Sequence, residues 1–491
     1  MTPQAVQGEL LHQTAAFETR DHTGDQRIQQ HQVQQKADPG RHPYQIQESG
    51  GHSYEQQNLN QNQDQDQDPD RLTIEESIRR GLAYNWRLQA VSAESDEAEA
   101  ARRQARSGRL PRLQAQASYT RLSDNVTDID VTIPGMDSAI TLFPVEVNRY
   151  HAELSLEQPI FTGGRLNNRI EAADRQAEAA GYREAQEQVE LAFEIRQAWW
   201  NLYRAQVAHQ TLEFALTQVE EHLRDVRNRV EEGTALRTEL LNAETRRSEV
   251  RLEEIDTRSQ VRLARLELNR LIGLPADAEP ELAESEVTRT DQRERIPREM
   301  EQLVERALEQ LPALDALSQQ VQAGEAEVQA TRANWLPELH LVGRYIQARP
   351  NQYFFDQQDQ FRGTWEAGLA LRWSLWDGGQ RLHETGRSRA RLRRAEAQLA
   401  DMQEQATVNV VRRYLELERA VEAVSVAGQS AGSAEEAFNS IRLQFEEGAA
   451  LSWQVLDAEQ AYRQAQARQA DAIADYEIAR GALLLATGQI W

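Results

Sequence analysis

The chain has 491 residues, a formal net charge of −24 and no cysteine. The lack of cysteine excludes disulfides, thiolate metal ligands, a cysteine nucleophile and a cysteine lipid anchor. The acidic charge argues against nucleic acid as a partner, because phosphate binding depends on clustered lysine and arginine. No window reaches the roughly 18 consecutive apolar residues of a transmembrane helix, so a membrane crossing would have to use strands.

Residues 1–70 form a polar tail rich in glutamine and aspartate, with 4 Lys or Arg against 11 Asp or Glu. Because few large apolar residues are available for burial, we predict that this tail is disordered. Its histidines are His12, His22, His31, His42 and His52. Their wide spacing favours a solvated tail over a metal site. The tail also lacks the basic region and apolar run of a secretory signal, which counts against export.

A helix is predicted from Leu72 towards Gly108. Thr73 and Glu76 have the three-residue spacing of a capping box at its start. Pro111 ends the helical pattern, because proline forces the residue before it into extended geometry. The hydrophobic period then changes from about 3.6 to 2, which predicts strands on either side of a loop at about residues 122–148.

Four strands are predicted, two in each half of the chain, and each alternates apolar with polar residues. The first apolar faces are Leu113, Ala115, Ala117 and Tyr119, then Tyr150, Ala152, Leu154 and Leu156. The second are Leu339, Leu341, Gly343 and Tyr345, then Trp365, Ala367, Leu369, Leu371 and Trp373. A soluble sheet would alternate in the same way. Strand lengths of about nine to eleven residues, with tyrosine or tryptophan near the ends of the apolar faces, favour a membrane-embedded sheet.

An internal duplication relates the two halves. Two glycine pairs, each at the end of a predicted strand, are separated by 215 residues, and the same offset relates residues 231–236 (EEGTAL) to residues 446–451 (EEGAAL). The prolines before the first strand of each half are separated by 226 residues, which places an 11-residue insertion in the first loop. The predicted strand-helix joints are Pro111, Gly163, Gly164, Pro337, Gly378 and Gly379.

Each glycine pair begins a helical stretch of about 68 residues, which corresponds to a length of about 100 Å. The predicted helices are residues 165–232 and 235–272 in the first half, and 380–447 and 450–486 in the second. Gly233 and Gly448 fit the left-handed position that ends a helix. Because narrow apolar stripes need partners along their whole length, each half is predicted to form a tall antiparallel hairpin.

The predicted organisation is a tail (1–70), a first structural repeat (71–275), a linker (276–297) and a second structural repeat (298–491). The fold class is mostly α with a small β part. Four strands cannot close a barrel, and unpaired edges in lipid would leave backbone groups unsatisfied. Three chains would supply twelve strands and six hairpins, enough for a transmembrane β-barrel continued by an α-helical barrel.

Several motifs resemble the TolC-like outer membrane efflux protein family over residues 72–491. They are the joints QPIFTGGR (158–165) and LWDGGQ (375–380), the tips EEGTAL and EEGAAL, and the LDAE at 456–459. The resemblance implies a trimeric outer membrane channel that extends into the periplasm. It also implies a periplasmic adaptor (membrane fusion) protein and an inner-membrane pump as partners, in either tripartite efflux or type I secretion.

The resemblance also implies roles for residues at the hairpin tips. The adaptor-docking positions fall on Gly233, Thr234, Ala235, Gly448, Ala449 and Ala450. The periplasmic gate falls on Gln454, Asp457, Glu239 and Asn242. Between Gln454 and Asp457, only Asp457 keeps the gate's carboxylate, and the basic partner expected near Ala450 is missing. Three Asp457 carboxylates at a narrow mouth would favour cations. A solvated charge on a helix surface is the alternative.

The sequence contains no glycine-rich phosphate loop, no His-Glu-x-x-His and no plausible triad. We therefore predict no enzyme activity, no cofactor and no metal centre, and the energy for transport would come from a partner. Trp199, Trp200 and Tyr203 are predicted to pack in the middle of a helix, and His151 and His340 to line a lumen. One alternative is a non-conducting helical scaffold of the cell envelope. Another is a cytosolic coiled-coil protein, which the strand alternation argues against.

Overall fold

The computed structural model describes residues 71–126, 129–131, 134–135, 140–143, 145–283, 299–354 and 359–489. All of them belong to one unit, Asp68–Trp491. The predicted polar tail and most of the predicted linker lie outside the described residues. None of the described helices has the length and apolar character needed to cross a membrane.

The helices follow the predicted duplication. They are α1 (Ile74–Tyr84), α2 (Trp86–Ser107), α3 (Arg165–Glu231) and α4 (Arg237–Ile272), then α5 (Met300–Gln310), α6 (Pro312–Ala333), α7 (Gln380–Glu446) and α8 (Ser452–Ala486). α3 and α7 each have 67 residues. At 1.5 Å per residue each is about 100 Å long, as predicted.

Four long strands, β2, β5, β7 and β8, form one antiparallel sheet. All the described strands, in chain order, are β1 (Arg71–Leu72), β2 (Arg112–Arg121), β3 (Ile129–Val131), β4 (Ile140–Phe143), β5 (Asn148–Phe161), β6 (Glu281–Leu282), β7 (Glu338–Arg349) and β8 (Arg362–Arg372). The sheet has the order β2-β5-β7-β8, so each half of the chain contributes one edge strand and one interior strand. β1 and β6 form a short parallel pair, and β3 and β4 a short antiparallel pair.

The first predicted helix is interrupted, which corrects the prediction of one helix from Leu72 to Gly108. Asn85 has φ −69° and ψ 124°, an extended conformation that separates α1 from α2. Its side chain accepts hydrogen bonds from the backbone N–H of Arg87 and Leu88 and donates one to the Leu271 carbonyl. Asparagine is favoured at such a cap because its short side chain satisfies amides that the helix leaves unpaired. Thr73 caps α1, since its side chain accepts a 3.1 Å hydrogen bond from the Glu76 backbone N–H. The predicted capping box is only half formed, because the Glu76 carboxylate accepts hydrogen bonds from Arg79 and Arg80.

The predicted first loop contains the β3–β4 pair, which the sequence analysis did not anticipate. The 11-residue insertion falls in this same connection, between β2 and β5. The equivalent connection between β7 and β8 is shorter. The duplicated halves therefore differ mainly where the chain leaves the sheet and returns to it.

Two aromatic residues of α3 form the centre of the largest core. The side chains of Trp199 and Trp200 are almost completely buried, among residues of α1 and α4. The Trp199 Nε1 donates a 3.0 Å hydrogen bond to the carbonyl of Leu72. This confirms the prediction that the tryptophan pair packs within the helical part, and the hydrogen bond fixes the chain at β1 to the middle of α3.

The helices form two ordered rows. Near the sheet, α2 packs on α3, α3 on α6, and α6 on α7. Towards the hairpin tips, α4 packs on α3, α3 on α8, and α8 on α7. Near the sheet, α2 and α7 are therefore the end members of the row. The contact between α3 and α6, which joins the two halves of the chain, is called the internal seam below.

Gly163 and Gly378 provide a matched test of the joints, because their φ angles are almost equal, at +61° and +67°. A Cβ at Gly163 would lie 2.7 Å from the Leu336 Cβ and 3.0 Å from the Ala333 carbonyl oxygen, whereas nothing lies within 4 Å at Gly378. Alanine in this left-handed region costs about 1 kcal/mol at either position. Overpacking adds about 1–3 kcal/mol at Gly163 alone.

We therefore expect Gly163→Ala to lower the thermal unfolding midpoint clearly more than Gly378→Ala does. The measurement is circular dichroism of the two variants and the wild type in a detergent that keeps the chain monomeric, so that no second copy covers Gly378. Equal decreases would mean that the surroundings of Gly163 relax at no cost, which would contradict the packing described here.

Candidate functional site

The four-stranded sheet has one apolar face. Cross-strand neighbours on this face include Tyr119 with Tyr150, Leu154 with Tyr345, Tyr345 with Trp365, and Leu341 with Leu369. All of these side chains are exposed, and Trp365 is 78% exposed. The predicted alternation is therefore confirmed in the strands and in their register. An apolar sheet face left uncovered is rare on soluble monomers and marks a surface for lipid or protein.

The opposite face of the sheet is polar, and its charged side chains form ion pairs between strands. Arg344 lies 2.9 Å from Glu153 of β5 and 3.1 Å from Glu366 of β8. Arg372 lies 3.0 Å from Glu157, which also lies 3.2 Å from His340. All of these side chains except His340 border a cavity of about 380 Å³. The polar face is thus able to line an aqueous space.

The two edges of the sheet are unsatisfied. β2 pairs only with β5, and β8 only with β7, within the part of the chain that the structure describes. Each edge strand therefore presents a row of backbone donors and acceptors that have no partner strand. Such edges are ready templates for pairing with another chain.

The predicted joints lie where the strands meet the long helices. Pro111 and Pro337 immediately precede β2 and β7, and both glycine pairs have positive φ angles. The second joint is reinforced by Arg381, which lies 2.6 Å from Asp377 and donates a 3.2 Å hydrogen bond to the Asn334 carbonyl. In the first joint, Arg165 donates a 2.8 Å hydrogen bond to Glu338 of the other half. The first joint therefore ties the start of α3 to β7 of the other half, whereas the contacts of the second joint stay within its own half.

The two hairpin tips have the same backbone design. Gly233 and Gly448 have φ angles of +79° and +80°, as their predicted left-handed role requires. Thr234 and Ala235 both donate backbone hydrogen bonds to the carbonyl of Arg229. In the second tip, Ala449 and Ala450 donate to the carbonyl of Gln444 in the same way. Each tip is therefore a compact turn of residues with small side chains, in which Ala235 and Ala450 are half-buried.

The two tips are joined to each other by an aromatic and polar contact that the sequence analysis missed. The His222 Nε2 lies 2.7 Å from the Ser452 Oγ, and the ring of His222 lies 5.0 Å from the ring of Phe445. The Arg229 guanidinium lies 4.3 Å from the centre of the same Phe445 ring and also hydrogen-bonds the Phe445 carbonyl. These contacts connect α3 of the first hairpin to α7 and α8 of the second.

A buried ion-pair chain joins the hairpins further from the tips. Arg246 of α4 lies 3.2 Å from Glu459 of α8, and Glu459 also lies 3.4 Å from Arg463. Arg463 in turn pairs with Glu253 of α4. The Glu459 side chain is 5% exposed. Glu459 belongs to the LDAE motif, and Arg463 is its neighbour one turn along the same helix. Arg246 lies in the other half of the chain, so no local pattern signals that pairing.

The four predicted gate residues occupy equivalent positions in the two hairpins. Glu239 and Asn242 lie in the first two turns of α4, and Gln454 and Asp457 in the first two turns of α8. The Gln454 side chain accepts a 2.7 Å hydrogen bond from the Leu451 backbone N–H, so it caps its own helix. Asp457 is exposed, and among the described residues neither it nor Glu239 has an ion pair.

One group of side chains has metal-ligand composition. His209, Glu213 and Glu254 place ligand atoms within 4.8 Å of one another. However, Glu254 already lies 3.0 Å from Arg251 and pairs with Arg258 as well. A cation would therefore approach two guanidinium groups. This cluster is better explained as an ion-pair network on α4.

The model of the family described as "Outer membrane efflux protein" matches residues 78–274 and 303–489. The two matches cover both halves of the duplication and most of the chain. The chain belongs to the outer membrane efflux protein family. Membership of this family implies an outer membrane location, and it confirms the resemblance found in the sequence. The family's proteins are efflux channels, which agrees with the joints, tips and long hairpins described above.

Individual relatives agree with the family assignment. The chain is 26% identical over 340 residues to the alkaline protease secretion protein AprF of Pseudomonas aeruginosa. This matched stretch covers 67% of this chain and 68% of AprF. The outer membrane protein VceC of Vibrio cholerae has a similar structure, with TM-score 0.68 and 18% identity over 85% of this chain and 96% of VceC. The CmeC outer membrane channel of Campylobacter jejuni has TM-score 0.70 and 15% identity, covering 84% of this chain and 85% of CmeC.

The buried carboxylate of Glu459 is expected to stabilise the pairing of the two hairpins. Removing one partner of a buried ion pair costs about 3–5 kcal/mol, because the other charge remains uncompensated. We therefore expect Glu459→Gln to lower the thermal unfolding midpoint of the helical part, measured by circular dichroism. Glu249→Gln is the control, since Glu249 pairs with the same Arg246 at 3.3 Å but is 56% exposed. If both variants unfold at the wild-type temperature, the buried chain is not a stabilising element.

The contact at His222 is expected to weaken in acid. Burial lowers the pKa of His222 below its ordinary value of 6.5; Asp225 acts in the opposite sense, and Arg229 lowers the pKa further. Because the folded-state pKa is the lower one, the contribution of the neutral ring is complete above about pH 6.5 and is lost as the pH falls through the folded-state value.

Hydrogen exchange at the tip amides of Thr234, Ala235, Ala449 and Ala450 measures this effect, after correction for intrinsic exchange rates. We expect protection to decrease from neutral to mildly acidic pH in the wild type. The His222→Gln variant retains a polar side chain that does not titrate, so its protection is expected to change less. An equal decrease in both proteins would assign the effect to another group.

Proposed function

We propose that three copies of this chain form a passive outer membrane exit duct of a tripartite efflux or type I secretion system. In this proposal the sheet lies in the outer membrane and the long hairpins extend into the periplasm. A periplasmic adaptor protein and an inner-membrane pump deliver the substrate, and the duct conducts it to the exterior. The partners are therefore two further copies of the chain, the adaptor, the pump and outer membrane lipid.

The observation that carries this proposal is the sheet with one apolar face, one polar face and two unpaired edges. In lipid each unpaired backbone group costs several kcal/mol, so the edges of β2 and β8 need partners. Joining β8 of one copy to β2 of the next satisfies both edges at once. The apolar face then meets lipid, and the polar face meets water.

The number of copies follows from barrel geometry. Four strands do not close, and an eight-stranded barrel has an interior that side chains fill or that holds one small ligand. Twelve strands leave room for a passage, and even strand numbers are usual in bacterial outer membrane barrels. Three copies are therefore the smallest ring that both closes and conducts.

The helical part supports transport in the same proposal. The two structural repeats, residues 71–275 and 298–491 joined by the linker 276–297, would place six hairpins around the passage. The tips at Gly233, Thr234, Ala235, Gly448, Ala449 and Ala450 would meet the adaptor, since their small side chains allow close approach. The name of the relative AprF refers to protease secretion. This supports export of a polypeptide by this chain, in the type I secretion form of the proposal.

Asp457 would give the periplasmic mouth its ion preference. Three exposed carboxylates around a narrow opening create a negative potential that attracts cations. Glu239 and Asn242, at the equivalent level of the first hairpin, would face the neighbouring hairpins, while Gln454 caps α8. Opening would require the second hairpins to move outward from the mouth.

Planar-bilayer recordings of the purified chain test the function. We expect discrete channel openings with a preference for cations. A protein that inserts but never conducts would support the scaffold alternative and contradict the duct.

Asp457→Asn tests the assignment of the mouth in the same recordings. We expect the cation preference to decrease while the channel still forms, because the substitution removes the charge but keeps the size of the side chain. Glu447→Gln is a suitable control, since Glu447 lies at the tip before Gly448 and not on α8. An unchanged preference in Asp457→Asn would remove Asp457 from the gate.

A further inference from the structure

We propose that a charge clamp fixes the contact between neighbouring copies, in which Glu97 on α2 of one copy enters between Arg387 and Arg394 on α7 of the next. This inference rests on the proposed ring of copies and names the residues that select a second copy of this chain as the neighbour. It concerns the helices next to the sheet, where α2 and α7 end the helix row.

The faces of α2 and α7 that point away from the row are uncovered within one chain. On α2, Leu88 and Ser95 face α3 and are at least partly buried, whereas Ala90, Ala93, Glu97 and Ala101 are exposed. On α7, Ser388, Leu392 and Ala395 face α6, whereas Gly386, Arg387, Ala390, Arg394 and Ala397 are exposed. Each exposed set recurs at helical spacing of three or four residues, so each forms one continuous stripe.

The charges in these two stripes are opposite. In the described part of the chain, Glu97, Arg387 and Arg394 have no ion pair and no hydrogen bond to another side chain. The arginines belong to a run of five between residues 387 and 394, in a protein whose formal net charge is −24. Opposite charges at a contact between copies steer association and fix its register.

The internal seam shows which positions face a neighbouring helix. The offset of 215 relates Arg387, Ala390 and Arg394 of α7 to Ala172, Arg175 and Ala179 of α3, in that order. The offset of 226 relates Ala93 and Glu97 of α2 to Gln319 and Ala323 of α6. Ala172, Ala179 and Ala323 are 4%, 1% and 4% exposed. Arg175 lies 3.4 Å from Gln319 across the seam.

Because the halves are duplicated, the contact of α7 with α2 of the next copy is the counterpart of the internal seam. The positions of Glu97, Arg387 and Arg394 are then positions that the internal seam buries with alanine. A buried charge requires a partner, since the cost of desolvation is not otherwise offset. At each of these equivalent positions the charged residue lies on a helix that ends the row, α2 or α7, and the alanine lies on α6 or α3 within the row. A separate copy must be recognised only at the ends of the row.

The two stripes also lie at the same height. Glu94 and Ala98 of α2 and Arg391, Arg394 and Ala395 of α7 border one cavity of about 670 Å³, together with residues of α3 and α6, so Arg394 lies on the cavity side of its stripe. Rotation about an axis parallel to the helices leaves height unchanged. Glu97 of one copy therefore meets the segment of α7 around Ala390, between Arg387 one turn to one side and Arg394 one turn to the other.

Charge reversal tests the clamp through the fraction of full-length protein that runs as a trimer in mild detergent, measured by light scattering. Like charges facing each other across an interface repel, so we expect Glu97→Arg to weaken trimer formation at least tenfold. The double variant Arg387→Glu, Arg394→Glu should weaken it similarly, and combining all three changes should restore it. Asp96→Arg is the control, because Asp96 points about 100° away from Glu97 around α2.

A second measurement tests the same contact without the charge-reversal variants, in case these do not fold. The chain has no cysteine, so the double variant Ala90→Cys, Ala397→Cys, two stripe positions that are level when Glu97 is level with Ala390, introduces the only two thiols. We expect oxidation to cross-link copies into dimers and trimers under denaturing conditions, while either single change alone gives no trimer. A trimer that does not cross-link, or one that is insensitive to Glu97→Arg, overturns the clamp. A wild-type protein that is monomeric overturns the proposed ring itself, and the two failures are therefore distinguishable.

Discussion

Backbone hydrogen bonding at the edges of the four-stranded sheet is the constraint on which the rest of the structure depends. β2 and β8 each have one partner strand within the described chain, and their outer edges have none. Edge groups without partners are costly wherever water is excluded. The duplication creates this situation, because each half supplies one interior and one edge strand. It also places α2 and α7 at the ends of the helix row, directly beyond those edge strands.

The duplicated halves use the same backbone geometry with different side-chain chemistry. Both joints have glycines at positive φ, and both tips satisfy their backbone donors in the same way. The contacts between the halves are specific instead. The buried Arg246–Glu459 pair and the contact of His222 with Ser452 have no counterpart within either half. Backbone turns constrain only local residues, whereas contacts between helices must match surfaces that the duplication has made unequal.

Local patterns anticipated most of the elements but few of the partnerships. Period-2 alternation located the four strands, and the glycine pairs located the starts of the long helices. Both signals depend only on neighbouring residues. The interruption at Asn85 was not predicted, because the sequence around Asn85 is compatible with a continuous helix. The contact that accompanies the interruption is a hydrogen bond from the Asn85 side-chain amide to the Leu271 carbonyl, on a helix far away in the sequence. The predicted gate and docking positions lie at the expected tips, but the residues that join the tips to each other, such as His222 and Phe445, were not found.

The sequence by itself determined the duplication, the strand and helix types, the tips and the family, because periodicity, glycine placement and repeated motifs act over short stretches of chain. Only the tertiary structure decided the strand order β2-β5-β7-β8, the order of the helix rows and which charges are buried together. Those features depend on residues far apart in the chain, such as Arg246 and Glu459, which are 213 positions apart. No local pattern encodes such pairs, since each side chain acquires its partner only when the two halves pack.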